Sequence, residues 1–120
     1  MVKAGKSLAI AAIAVAMVFA ATPSAFAGGS GKDCGRDHVC KLEGAGFPGG
    51  TVAIDVDVIG GANRLIEWRY KGDNGFRCSD KFWVNEPPRT WVCYGADPGG
   101  YRLIVSDTEN HDGYRLGIRW

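Results

Sequence analysis

The chain has 120 residues, with 14 Lys+Arg, 13 Asp+Glu and four cysteines. Lys3 and Lys6 are the only charged residues before Gly28, so the remainder holds 12 cations against 13 anions, a formal charge of −1. So even a balance argues against nucleic acid or an anionic membrane surface as partner, since both rest on many lysine and arginine contacts to phosphates. The length after Gly28 suits one small domain and not two.

Residues 1–27 read as a secretory signal peptide. Lys3 and Lys6 give the positive start, Leu8 to Ala20 form an uncharged apolar stretch, and Ala25-Phe26-Ala27 offers small residues around a bulky one. That is the pattern a signal peptidase cuts, after Ala27. The apolar stretch is shorter than the roughly 20 residues that span a bilayer, so no membrane insertion is expected after cleavage. The expected location is extracellular.

All four cysteines, Cys34, Cys40, Cys78 and Cys93, follow the cleavage point. An even number in a short exported chain reads as two disulfides, and four cysteines allow three pairings. The local pairing Cys34–Cys40 with Cys78–Cys93 is the expected one, because each bond closes a short loop between neighbouring segments. Zinc is the rival, and it lacks any C-x-x-C spacing.

Residues 28–50 are rich in glycine and poor in apolar periodicity, which predicts an irregular arm tied down by a Cys34–Cys40 loop. Residues 51–120 carry the β-domain. Val52, Ile54, Val56 and Val58 alternate with Ala53, Asp55 and Asp57, the period of a half-buried strand. Gly60 to Asn63 is a turn. From Arg64 to Lys71, Ile66, Trp68 and Tyr70 point one way, and Leu65, Glu67, Arg69 and Lys71 the other. Asp73-Asn74-Gly75 is a tight-turn signal. Phe76 to Val84 is the next strand, stopped by Pro87-Pro88, which cannot donate to a ladder. Short strands follow at Thr90–Tyr94, around Tyr101-Leu103-Val105, and around Tyr114-Leu116-Ile118. Some six strands between turns, with no helical period, predict an all-β, antiparallel sandwich or small barrel stapled by disulfides.

Catalytic motifs are absent from the spelling. His38 and His111 sit in neither a nucleophile nor a metal motif. Asp55 and Asp57 share a strand face as outward aspartates ordinarily do. Asp107 to Gly113 has oxygen donors enough for calcium but does not match the full calcium-loop pattern, and reads as a plain turn. Neither a cofactor nor a metal is expected. What does stand out is the crowding of Trp68, Arg69, Tyr70, Trp83, Trp91, Tyr94, Tyr101, Tyr114 and Trp120. Such side chains dominate binding hot spots, and they are also what a small β core needs.

From Glu67 to Trp120 the chain resembles the tendamistat-type α-amylase inhibitors, small secreted proteins of Streptomyces. Trp68-Arg69-Tyr70 is followed by Asp73-Asn74-Gly75, Cys78, Cys93-Tyr94, Ala96-Asp97-Pro98-Gly99-Gly100 and Gly113-Tyr114, in the family's order though with a different cysteine pattern. The resemblance implies that Trp68, Arg69 and Tyr70 form an exposed inhibitory triplet. Arg69 would lie against catalytic carboxylates, with the two rings covering sugar subsites. The strand period instead points Trp68 and Tyr70 inward, so the exposure of those rings separates the two expectations.

The reading is a secreted, monomeric, non-enzymatic binding protein, foremost an inhibitor of a secreted glycoside hydrolase (an α-amylase). The alternatives are a carbohydrate- or cell-surface-binding module that takes a polysaccharide, and a secreted antimicrobial protein.

Overall fold

A computed structural model describes residues 28–120; the signal peptide expected at residues 1–27 lies outside the described residues. Eight strands follow in chain order: β1 (Gly29–Cys34), β2 (Val39–Phe47), β3 (Gly50–Ile59), β4 (Leu65–Gly72), β5 (Arg77–Trp83), β6 (Arg89–Ala96), β7 (Gly99–Ser106) and β8 (Gly113–Arg119). They form two antiparallel four-stranded sheets, ordered β1-β8-β3-β6 and β2-β7-β4-β5. The architecture is a sandwich; neither sheet closes into a barrel.

Alternation builds the core. In β3 the valines and Ile54 face inward, and in β4 Ile66, Trp68 and Tyr70 do the same. Leu103 and Val105 of β7 and Tyr114, Leu116 and Ile118 of β8 complete the two inner faces. A period of two allows nothing else once one face of each sheet is buried. Aromatic rings run through the interior: Trp68 lies against Trp91 at 5.2 Å, Tyr70 stacks on Tyr101 at 6.1 Å, and Trp120 meets both Tyr101 and Phe47.

Turns fall where the glycines and prolines predict them. Gly75 holds a positive φ of 98°, and the turn closes with the Gly72 amide donating to the Phe76 carbonyl at 2.9 Å. Only glycine adopts such a φ without strain. The chain then crosses Pro87-Pro88 before β6 begins.

Two expectations are corrected here. Residues 28–50 are not an irregular arm: they supply β1 and β2, which raises the strand number from about six to eight. β1 has the sequence GSGKDC and exposes most of its residues, so it offers no apolar alternation to read. Its order comes from backbone pairing with β8, from Gly29 opposite Arg119 to Cys34 opposite Tyr114. β2 has a legible half, with Cys40 and Leu42 inward, but its register shifts between Gly44 and Phe47, which breaks the period.

The disulfides are Cys34–Cys40 and Cys78–Cys93, the local pairing expected from the spacing, with Cα separations of 5.9 and 6.3 Å. Their placement is informative. β1 and β6 are the edges of the first sheet, and β2 and β5 those of the second. One bond therefore joins the two sheets along one side of the sandwich, and the other joins them along the opposite side.

Candidate functional site

Register and alternation decide where the triplet goes. Trp68 and Tyr70 are each 1% exposed, while the Arg69 side chain between them is 50% exposed on the outer face of the second sheet. Trp68 packs between the sheets against Trp91, and Tyr70 is wedged among Phe76 and Tyr101. Neither the Trp68 indole nitrogen nor the Tyr70 hydroxyl has a hydrogen-bond partner in the interior. Burial, then the neighbouring Tyr101 and Asp97, pushes the Tyr70 phenol up to about 12. The expectation of an exposed turn presenting Trp68, Arg69 and Tyr70 together is corrected: the strand continues through all three, and only Arg69 is presented.

Around Arg69 lies a basic face. Outward positions of the second sheet carry Lys41, Arg69, Lys71, Arg77, Lys81 and Arg102, with Glu43 and Glu67 as its carboxylates. Pairing sets them in rows: Arg69 is opposite Ile104 and Ser79, and Lys71 is opposite Arg102 on one side and Arg77 on the other. At one end Leu65 stands directly opposite Trp83, and both are about half exposed, 49% and 47%. Beside Arg69, Lys71, Arg77 and Ser79 is a depression of only about 80 Å³. The ion pairs on this face are loose, Arg69–Glu67 at 3.9 Å and Arg102–Glu43 at 3.5 Å. Exposed pairs of this kind contribute about 0–1 kcal/mol.

The outer face of the first sheet is arranged differently. Arg115 lies opposite Asp33 on one neighbour and Asp57 on the other. Arg119 grips Asp55 with two nitrogens, at 2.7 and 2.9 Å, and Thr90 bonds the same carboxylate. Asp55 and Asp57 thus face guanidinium groups across the sheet. A groove of about 350 Å³ runs between these pairs over Gly117.

At one end of the sandwich the two histidines lock loops together. The His38 ring bonds the Asp107 carbonyl through Nδ1, and the His111 ring bonds the Asp37 carbonyl through Nε2, both at 2.9 Å. The Tyr114 hydroxyl donates to the His38 carbonyl. Burial foremost, and then the Asp107 charge, pushes that phenol up to about 12. Asp107 is buried and held by the Arg64 guanidinium, whose hydrogen bonds keep its carboxyl below the usual carboxylate range despite burial. The Asp107 carboxylate is therefore taken up by the loop itself, as it also accepts the Glu109 amide at 3.0 Å. No cluster of three or more metal-ligating side chains occurs among the described residues.

Sequence reasoning missed the basic face because it summed charge along the chain. The signal was present in β4, where Glu67, Arg69 and Lys71 alternate outward, but its neighbours β2, β5 and β7 join it only through the sheet order. No family model matches the chain, and no curated protein matches it.

Proposed function

We propose that this chain is an exported binding protein without catalytic chemistry of its own, and that it acts as a module for a carbohydrate or cell-surface ligand. The observation that carries this reading is the outer face of the second sheet, where cations surround Arg69 and the Leu65–Trp83 pair lies exposed at one end. Arginine and tryptophan unite contact area with polar recognition, and a ring plane such as that of Trp83 is a stacking platform for a sugar. Two disulfides that bridge the sheets suit an extracellular setting, where such bonds persist.

The glycoside hydrolase inhibitor is the second reading, and one observation favours it. Arg69 projects from a positive surface, and the cleft of an α-amylase-type enzyme is acidic. What it lacks is the aromatic flank, since Trp68 and Tyr70 are core residues.

Co-sedimentation of the purified domain with insoluble polysaccharides tests the first reading. Binding is expected, and both Arg69→Ala and Trp83→Ala should weaken it while leaving the urea midpoint nearly unchanged. Binding that survives both substitutions would overturn the assignment of this face. An amylase turnover assay in the same experiment tests the second: absence of inhibition at micromolar protein removes it.

A further inference from the structure

The two outer faces of the sandwich treat charge in opposite ways. On the first sheet Arg115 sits across from Asp33 and Asp57, and Arg119 holds the Asp55 carboxylate. On the second, Arg77, Lys71 and Arg102 stand abreast on three adjacent strands, cation opposite cation. Like charges directly opposite one another destabilise an antiparallel pair. Lys41, Lys71, Arg77 and Lys81 make no ion pair among the described residues. Folding alone gives no reason for such a row, and a ligand that brings its own negative charge does.

We propose that the ligand of this face is an acidic polysaccharide, a linear glycan bearing carboxylates at regular intervals; this rests on the binding-module reading above. Three features select it. First, the face is open: its depression of about 80 Å³ is well below the roughly 300 Å³ at which pockets begin to enclose a small molecule. An extended ligand fits where a compact one does not. Second, the cations form a grid, about 5 Å apart across strands and roughly 7 Å along them, which offers repeated contacts to a polymer of recurring charge. Third, the exposed Trp83 and Leu65 at the end of the grid give an apolar plane against which the face of a pyranose ring can lie. The near-neutral total of the chain does not oppose this, because the compensating carboxylates lie off this face, among them Asp37, Glu86, Glu109 and Asp112 in the segments between strands.

Affinity electrophoresis and calorimetry of the oxidised domain against polygalacturonate, neutral dextran and a single-stranded DNA of matched length supply the test. Polygalacturonate is expected to bind, dextran not, and the affinity should fall at least about tenfold between roughly 50 and 200 mM salt, as counterion release requires. Lys71→Glu should abolish binding, whereas Arg36→Glu, an equal change of net charge at the far end of the sandwich, should leave it within about twofold of the native value. Urea midpoints of both variants verify folding, and the salt dependence of the native domain stands independently of either variant. Equal, salt-insensitive binding of dextran would overturn the acidic ligand and leave the module reading in place. Tighter binding of DNA than of polygalacturonate would overturn the glycan. Equal losses in Lys71→Glu and Arg36→Glu would overturn the face. Failure to bind any of these or any insoluble polysaccharide would overturn both readings.

Discussion

Asp107 lies 3% exposed between the Arg64 guanidinium and the Glu109 amide, with His38 hydrogen-bonded to its carbonyl. A carboxylate so placed is tolerable only while its partner stays. Arg64→Ala should therefore destabilise the domain by about 3 kcal/mol, read from urea denaturation at neutral pH. The sign of the pH dependence follows from the depressed carboxyl. In the unfolded chain Asp107 titrates near its ordinary value of about 3.9, and in the fold below it, so its contribution is present above about pH 4 and is lost as pH falls through the folded value. Asp107→Asn should flatten that acid limb of the stability curve. The phenols act at the other extreme. Tyr70 and Tyr114 ionise at about 12 in the fold against about 10 when unfolded, so the stability they lend is complete below about pH 10 and is lost as pH rises toward 12. Spectrophotometric titration of tyrosine absorbance in native and urea-unfolded protein checks this directly.

Strand pairing sets the consequences of change at the next scale. β5 and β6 are edge strands of different sheets, and the Cys78–Cys93 bond closes a loop of separation 15 between them. In the chain-entropy model such a loop is worth about 3 kcal/mol, while the separation of 6 at Cys34–Cys40 gives about 2 kcal/mol. Replacing Cys78 and Cys93 together by serine should thus lower the melting temperature more than replacing Cys34 and Cys40, as differential scanning calorimetry would show. In β2, a Cβ placed on Gly44 would come within 3 Å of the Tyr101 ring, whose own face stacks on Tyr70. Gly44→Ala should consequently displace the Tyr101–Tyr70 stack, with a destabilisation of about 1–3 kcal/mol in the same urea assay.

For the whole molecule, the two disulfides hold opposite sides of one continuous core. Trp68 and Trp91 report on the middle of that core and Trp120 on one end, through contacts with Phe47 and Tyr101. Unfolding with the disulfides intact should be a single transition in which tryptophan fluorescence and circular dichroism coincide. Separate midpoints would mean that the two sides of the sandwich melt independently.

Six strands were legible in the amino-acid sequence because their outward and inward residues differ in kind. Val52 to Val58 and Ile66 to Tyr70 leave only one face that can be buried. The same period placed Trp68 and Tyr70 inside, against the exposed triplet implied by the family resemblance. β1 left no such trace, since an edge strand of glycine, serine and charged residues is ordered by hydrogen bonds to β8 and not by burial of its own side chains. The disulfide pairing followed from short spacing, but that each bond spans from one sheet to the other did not. Nor did the basic row: Arg77, Lys71 and Arg102 come from three separate stretches of chain, and only the order β7-β4-β5 sets them side by side. Local alternation is written in neighbouring residues, whereas the lateral order of strands is decided by long-range pairing, and it is that order which turns a nearly neutral chain into a molecule with one positive face.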